Sequence, residues 1–227
     1  MRLGPEATRA LRIGRQSVES DPKQQRLILE NILARYGVEV TFVDGTDLEH
    51  WRAAVRPETK VVFFESMSNP TLEVIDIEGV AQIAHAVGAT VVVDNVFSTP
   101  VFSNAIAQGA DVVVYSATKH IDGQGRALGG VILGREDHIR KVVEPYMKHT
   151  GGAMSPFTAW MMLKGLETID LRVRAQTDSA ARIADALVGC PAVTQVRYPG
   201  RADHPQHDLA LRQLGAGGPM VPLEIDG

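Results

Sequence analysis

The stretch ATVVVDNVFSTPVFSNAIAQGADVVVYSATK, residues 89–119, decides the fold. It contains two runs of valine, Val91–Val93 and Val112–Val114, and polar side chains follow each run within two residues. Consecutive apolar positions are typical of a strand that is buried on both faces of a sheet. The segment between the two runs has room for the helical crossover that joins parallel strands. The stretch therefore predicts an α/β layer with a largely parallel sheet.

The same alternation of strands and helices extends outward along the chain. Asp47 and Asp76 each precede an apolar periodic segment and predict helix N-caps. The predicted elements are a helix over 27–36 that ends at Gly37, strands over 38–43, 60–64, 89–93, 111–115 and 131–133, helices after Asp47 and Asp76, and a short helix over 101–108. Beyond Gly134 we predict one long helix over 156–187 and strands over 193–198 and 219–225.

These elements predict four segments. Residues 1–26 hold six basic and three acidic side chains with few large apolar ones, which indicates an unmatched tail or a start imposed by truncation. Residues 27–155 form the core of a large domain, and 156–187 form a connecting helix. Residues 188–227 are the start of a smaller α+β C-terminal domain that is cut short.

The composition excludes several classes of function. The 227 residues carry 23 basic and 27 acidic side chains, a formal net charge of −4, without a polybasic run. No apolar stretch approaches the roughly 18 residues of a membrane span. We therefore expect neither nucleic acid nor a membrane as a partner, and we predict no metal site. The single cysteine forbids an internal disulfide, which favours a cytoplasmic location.

Polar clusters follow three of the predicted strands, at 65–69, 94–95 and 116–119. In open α/β sheets, ligands bind beyond the carboxyl ends of the strands. The hydroxyls of Ser116 and Thr118 can donate to a phosphate, and the amine of Lys119 can form an imine with an aldehyde. Taken alone, this motif also fits a surface loop with an exposed lysine.

Two further residues give the lysine a chemical context. Asp94 would meet Lys119 at the same edge of the sheet, where a carboxylate can keep a pyridine nitrogen protonated. Asn69 lies in a proline-closed loop that can present it to a ligand. Each also has an ordinary interpretation, as a helix cap and as a polar turn. His120 is interpreted as a packing or surface histidine.

Together these segments resemble the Cys/Met-metabolism family of pyridoxal-phosphate enzymes. The stretches that carry the resemblance are FFESMSNPTLEVIDI (63–77), VVVDNVFSTPVF (91–102), GADVVVYSATKHIDGQGRALGG (109–130) and SPFTAWMMLKGLETIDLR (155–172). The resemblance implies the large domain of a fold-type I, aspartate-aminotransferase-like transferase. Within the family, the run over 121–126 is most similar to O-succinylhomoserine sulfhydrylases.

The resemblance also implies roles for individual residues. Lys119 would bind pyridoxal 5'-phosphate covalently, Asp94 would pair with its pyridine nitrogen, and Ser116 and Thr118 would bind its phosphate. Asn69 would contact the ring oxygen of the cofactor or the substrate carboxylate. The implied reaction is γ-replacement, in which O-succinylhomoserine and sulfide give homocysteine in methionine biosynthesis.

Four alternatives stay open at this level. Cystathionine γ-synthase or γ-lyase activity, or methionine γ-lyase activity, would use the same residues. An inactive remnant is a further alternative, because the family's N-terminal phosphate loop and C-terminal carboxylate-binding arginine are expected outside these 227 residues. The resemblance also implies a homo-oligomer, either a dimer or a tetramer.

Overall fold

The computed structural model describes residues 9–15 and 28–226, and the rest of segment 1–26, Leu27 and Gly227 lie outside the described residues. The strands of the main sheet are β1 (Arg9–Arg15), β2 (Val38–Asp44), β3 (Thr59–Glu65), β4 (Thr90–Asp94), β5 (Val112–Ser116) and β6 (Gly130–Gly134). They lie in the order β2-β1-β3-β4-β5-β6, with β6 antiparallel to β5 and the other pairs parallel. The predicted α/β class with a mostly parallel sheet is confirmed.

Strand β1 is not among the predicted elements. It pairs with β2 on one side and with β3 on the other, so that Leu11 is in register with Val40 and Val61. The segment 1–26 is poor in the large apolar side chains from which a strand is inferred. Strand β1 pairs with two strands that come later in the chain, and such pairing cannot be predicted from local composition.

Helices connect the strands of the sheet and extend past it. They are α1 (Leu48–Ala54), α2 (Ile77–His85), α3 (Thr99–Phe102), α4 (Glu136–His138), α5 (Glu144–Thr150), α6 (Pro156–Leu166), α7 (Ile169–Leu187) and α8 (His207–Leu214). A π-helical segment, Ile139–Val143, joins α4 to α5. Ile28–Ile32 and Leu33–Tyr36 form a helical segment that ends at Gly37, whose φ of 73° provides the predicted left-handed stop.

The core lies between the sheet and the first two helices. Trp51 and Phe64 are fully buried and meet edge to face, with ring centroids 5.8 Å apart. The Trp51 Nε1–H donates to the carbonyl oxygen of Gly45 at 3.0 Å, so its one polar atom is satisfied. The predicted caps are confirmed: Asp47 accepts from the backbone N–H of Glu49, and Asp76 accepts from that of Gly79.

Two predicted helices differ from the structure. The helix predicted over 101–108 is wrong: α3 ends at Phe102, because Ser103 has extended backbone angles and Asn104 Oδ1 accepts from the N–H of Ala107 in a turn. The long helix predicted over 156–187 is two helices, α6 and α7. The carbonyl oxygen of Gly165 accepts from Arg172 Nη2 at 2.8 Å, and the helical ladder is interrupted there.

Residues after α7 form a small unit that packs back onto residues 67–77, which follow β3. Strands β7 (Val193–Val196) and β8 (Leu223–Ile225) pair antiparallel, both shorter than predicted. Helix α8, which the pattern does not predict, packs against Met67, Leu72 and Val74. The division into large domain, connecting segment and C-terminal domain stays a prediction. Within the described residues, no helix is both long and apolar enough to cross a membrane.

Candidate active site

A cavity of about 140 Å³ opens beyond the carboxyl ends of β3, β4 and β5. The residues that line it are Glu65, Met67, Asn69, Asp94, Val96, Phe97, Ser116 and Lys119. Four of the five predicted site residues therefore border one cavity. The fifth, Thr118, adjoins it through a 2.6 Å contact between its Oγ1 and Ser116 Oγ. The parallel register brings together side chains that are far apart in sequence.

Glu65 and Asp94, here called the acidic pair, lie side by side on neighbouring strands. Each is the last residue of its strand, and the two are register partners in the β3–β4 pairing. Burial, followed by the negative charge of Asp94, raises the pKa of Glu65 from an ordinary 4.5 to about 7. Burial also raises the pKa of Asp94, although a hydrogen bond from the Val96 backbone N–H at 3.1 Å opposes this. The pair is thus a half-buried acidic centre whose ionised form a positive partner would stabilise.

The lysine loop, residues 116–126, lies on the other side of the cavity. Its first part is closed by three backbone hydrogen bonds: Lys119 N–H to Ser116 O at 3.2 Å, Asp122 N–H to Ala117 O at 2.9 Å, and Gly123 N–H to Lys119 O at 2.7 Å. The side chain of Lys119 is exposed and borders the cavity. These turns present an amine at the end of β5, which is where the sequence places it.

The second part of the lysine loop is organised by Asp122. Its buried carboxylate accepts from the backbone N–H groups of Arg126 at 2.7 Å and Gln124 at 3.3 Å, and from Arg126 Nε at 3.0 Å. The Arg126 backbone N–H is the main reason that the pKa of Asp122 is lowered. The glycines at 123 and 125 have positive φ and permit this tight course. The glycine-rich run is therefore an ordered turn.

Asn69 occupies the loop that follows β3. Its backbone N–H donates to Glu65 Oε2 at 3.2 Å, which ties the loop to the acidic pair. Ser66 N–H donates to Asp94 O at 2.8 Å and anchors the start of the same loop. The structure therefore holds Asn69 beside the cavity, and its predicted contact with the cofactor or the substrate stays a prediction.

These residues fit pyridoxal phosphate. An exposed amine on the cavity, Lys119, suits its aldehyde, and a half-buried carboxylate, Asp94, suits a protonated ring nitrogen. The hydroxyls of Ser116 and Thr118 bond each other at 2.6 Å, and both can turn their protons toward phosphate oxygens. The sequence places Glu65 in the polar cluster at 65–69 without giving it a role, because its pairing with Asp94 depends on strand register.

Volume alone does not identify this site. A larger cleft of about 610 Å³ lies beside β7, and Glu73, Arg197 and His204 are among its lining residues. Among the described residues that line this cleft there is no lysine, and Asp94 lies elsewhere. Pyridoxal phosphate requires an amine for its aldehyde and an acid for its ring nitrogen, so the smaller cavity is the candidate active site.

The fold and the site together define the class of fold-type I pyridoxal-phosphate enzymes. A crystal structure of cystathionine γ-lyase from Lactobacillus plantarum complexed with L-serine matches this fold with a TM-score of 0.90. The match covers 97% of this chain and 57% of that chain at 28% sequence identity.

The chain belongs to the family of Cys/Met metabolism PLP-dependent enzymes, whose family model matches residues 23–227. It is 52% identical over 200 residues to O-succinylhomoserine sulfhydrylase from Mycobacterium tuberculosis, covering 88% of this chain and 49% of that protein. The corresponding Pseudomonas aeruginosa enzyme is 44% identical over the same shares of both chains. Cystathionine γ-lyase from Bacillus subtilis is 35% identical over 87% of this chain and 52% of the relative.

The chain thus spans about half the length of the curated relatives it matches. The predicted family and its cofactor, pyridoxal phosphate, are confirmed. The similar proteins include a sulfhydrylase, a γ-lyase and a γ-synthase, which are different enzymes of one family.

Proposed function

We propose that the protein to which this chain belongs catalyses γ-replacement on an O-acylated homoserine, with O-succinylhomoserine and sulfide giving homocysteine and succinate. The observation that carries the proposal is the single cavity that Lys119, Asp94 and Ser116 share. The choice of acyl group is supported by the identities of 52% and 44% to two O-succinylhomoserine sulfhydrylases. Sulfide is the second substrate because a sulfhydrylase forms a carbon–sulfur bond where the carbon–oxygen bond breaks.

In this proposal the acidic pair and the lysine loop have separate tasks. Bound pyridoxal phosphate supplies an electron sink for the electrons of the substrate Cα–H bond. Asp94 would hold a proton at the ring nitrogen, and Ser116 Oγ and Thr118 Oγ1 would donate to the phosphate. Lys119 Nζ would hold the cofactor aldehyde carbon, and when released it would move protons at the substrate Cα and Cβ. Asn69 would orient the ring oxygen or the substrate carboxylate.

The direct test is a product assay. Purified protein is incubated with pyridoxal phosphate, O-succinylhomoserine and sulfide, and homocysteine and succinate are measured by mass spectrometry. We expect the two products in equal amounts, and none in a Lys119→Ala variant. Absence of homocysteine from a folded, cofactor-loaded protein would overturn the proposal and would favour the inactive alternative.

The second candidate function is γ-elimination. It is supported by relatives named cystathionine γ-lyase and L-methionine γ-lyase, at 35% and 41% identity. An eliminating enzyme needs no thiol acceptor, so the same assay without sulfide separates the two functions. Release of an α-keto acid and ammonia from methionine or cystathionine would favour the lyase, and a strict requirement for sulfide would favour the sulfhydrylase. We also propose that the protein forms a homo-oligomer and that it is located in the cytoplasm.

A further inference from the structure

Arg172, in the first turn of α7, reaches the lysine loop across 52 residues of sequence. Its Nη2 donates to the carbonyl oxygen of His120 at 2.9 Å and to that of Gly165 at 2.8 Å. Because Nη2 carries two hydrogens, both bonds can form at once. Its Nε donates to Thr168 Oγ1 at 2.9 Å. One nitrogen therefore links the last turn of α6 to the residue that follows Lys119.

The lysine loop does not obtain this link from its own hydrogen bonds. The three backbone bonds that close residues 116–123 all begin and end within the loop. They fix the shape of the loop, but they do not fix its position relative to the helices. The bond from Arg172 to His120 O comes from a separate element, so it places the backbone beside Lys119 with respect to α6 and α7.

Two glycines allow the arginine and the loop to lie this close. Gly123 has a φ of +72°, and a Cβ at that position would overlap the guanidinium group of Arg172. A Cβ at Gly165 would overlap the carbonyl oxygen of Ile121, so α6 lies directly against the lysine loop. A methyl group at Gly165 would meet backbone atoms, and one at Gly123 would have to displace the guanidinium group, so the loop, α6 and Arg172 lie in close contact.

Arg172 binds the loop through hydrogen bonds to backbone carbonyl groups, and this contact does not depend on an ion pair. The nearby Asp122 carboxylate is already engaged by Arg126, through Nε at 3.0 Å and the backbone N–H at 2.7 Å. Burial lowers the pKa of Arg172, Arg126 lowers it further, and Asp122 raises it. His120 contributes its backbone oxygen, while its ring bonds the side chain of Gln176. A guanidinium suits this task because its donors have a fixed planar geometry.

We propose that Arg172 is a positioning residue that holds the backbone at His120 and thereby aims the amine of Lys119 at the cavity containing Asp94. This inference rests on the proposed function in one respect, that Lys119 is the residue that binds the cofactor. It requires neither the sulfhydrylase reaction nor a particular substrate. The expected consequence of losing Arg172 is slower capture of pyridoxal phosphate by Lys119 in a chain that remains folded.

The experiment measures that capture directly in the full chain. The protein is mixed with pyridoxal phosphate, samples are reduced with borohydride at set times, and the labelled peptides are quantified by mass spectrometry. Labelling of Lys119 is compared with labelling of the exposed Lys141 in the same sample. In Arg172→Ala we expect Lys119 to be labelled about tenfold more slowly, as for the loss of hydrogen bonds from a charged donor, and Lys141 at an unchanged rate. Arg172→Lys should lie between, because a single ammonium lacks the planar fork.

The matched control is Arg174→Ala on the same helix. Arg174 bonds Asp170 at 2.9 Å and lies over the ring of Phe102, and within the part of the chain that the structure describes these contacts do not involve the lysine loop. Its removal should leave labelling of Lys119 unchanged. Wild-type labelling rates in a folded Arg172→Ala variant would overturn the inference. If wild-type protein labels Lys119 but makes no homocysteine, the proposed function fails and the inference about Arg172 is still decided by the variants. If Lys119 is never labelled, both proposals fail.

A double-mutant cycle keeps the inference testable if Arg172→Ala does not fold. Gly123→Ala adds a methyl group that meets the guanidinium, so it should slow labelling of Lys119 on its own. In an Arg172→Lys background that overlap is reduced, and only the strain of the positive φ remains. We therefore expect Gly123→Ala to slow labelling of Lys119 less in the Arg172→Lys background than it does in the wild-type chain. Purely multiplicative rates would contradict a contact between the two positions.

Discussion

The acidic pair and the lysine loop border the same cavity, but different interactions hold them in place. Glu65 and Asp94 end two central strands and are fixed by the parallel register of the sheet. The lysine loop is held by three short-range backbone bonds, by the bond from the Ala117 N–H to Gly129 O at 2.9 Å, and by Arg172 from a distant helix. Substitutions in the acidic pair should therefore change charge without moving the backbone. Substitutions in or against the loop should change the position of the amine.

The two regions also differ in their electrostatic cost. The acidic pair puts two carboxyl groups close together in a partly buried place, and the pKa of each is raised. In the loop, the Asp122 carboxylate is satisfied by three hydrogen bonds, and its pKa is lowered. Binding of a cation would therefore stabilise the acidic pair, and carboxyl groups with such raised pKa values are typical of a functional site.

The largest expected effect comes from removing the amine. Lys119→Ala should reduce homocysteine formation by a factor of about a thousand or more, because both covalent binding of the cofactor and proton transfer are lost. The measurement is the initial rate with O-succinylhomoserine and sulfide. Lys141→Ala, at an exposed position far along the chain, is the control and should keep the wild-type rate. Activity of Lys119→Ala close to that of wild type would refute the assignment of the lysine.

The next effect tests the acidic pair. Asp94→Asn keeps the shape of the side chain but no longer holds a proton at the ring nitrogen. We expect kcat to fall by about a hundredfold or more, with cofactor binding less affected. Titration with pyridoxal phosphate followed by single-turnover kinetics separates the two parameters. A loss confined to cofactor affinity would mean that Asp94 acts only in binding.

A third prediction concerns pH and the stability of the cofactor-free chain. The folded-state pKa of Glu65, about 7, is above its ordinary 4.5, so the folded state favours the neutral carboxyl. The stabilising contribution is therefore full below about pH 4.5 and is lost as the pH rises through 7. Glu65→Gln does not ionise, so its free energy of unfolding relative to wild type should rise by about 3 kcal/mol at most over that range.

Urea unfolding of both proteins at several pH values checks this prediction. The exposed Glu58→Gln is the matched control and should run parallel to wild type. In an Asp94→Asn background the advantage of the Glu65→Gln substitution should shrink but persist, because burial, the larger cause of the raised pKa of Glu65, remains while the charge of Asp94 is gone. Parallel curves for Glu65→Gln and wild type would mean that this carboxyl ionises normally.

The smallest effect concerns the hydroxyl pair on the lysine loop. Ser116→Ala removes one donor to the phosphate, and the dissociation constant of pyridoxal phosphate should rise about tenfold. Fluorescence titration of the cofactor-free protein measures this constant. Ser179→Ala should leave it unchanged, because the Ser179 hydroxyl donates to the Ala175 carbonyl at 2.9 Å and accepts from Arg182 Nη2 at 3.4 Å, both on its own helix. An equal rise in both variants would indicate a general loss of stability.

The clustering of the predicted site residues at one cavity follows from a local rule of the sequence. Asp94, Ser116 and Lys119 each stand at or just beyond the end of a valine-rich strand, and parallel strands bring such positions to one edge. The role of Glu65 depends on the register between its strand and that of Asp94. Both residues end their strands, but the sequence does not specify this register. Arg172 contacts the loop from 52 residues away, and no spacing rule connects them.

The parts of the fold that the sequence does not predict depend on long-range contacts. Helix α8 is held by Gln206 and Gln213, whose amides bond the backbone of Val74, Ile75 and Ile77. The break between α6 and α7 occurs where Arg172 donates a hydrogen bond to the carbonyl oxygen of Gly165. It lies inside a segment that the sequence pattern predicts as one helix. Apolar spacing reports which face is buried, but it does not report which backbone group a distant side chain will occupy.

The central claim is that Lys119, opposite the acidic pair, is the residue that captures pyridoxal phosphate. Borohydride reduction of the cofactor-loaded chain, followed by peptide mapping, tests it most directly, because the reduction makes the link to the lysine permanent. We predict one dominant phosphopyridoxyl label, on Lys119, at about one per chain. Labels spread evenly over exposed lysines such as Lys141 and Lys148, with Lys119 no more modified than they are, would contradict it.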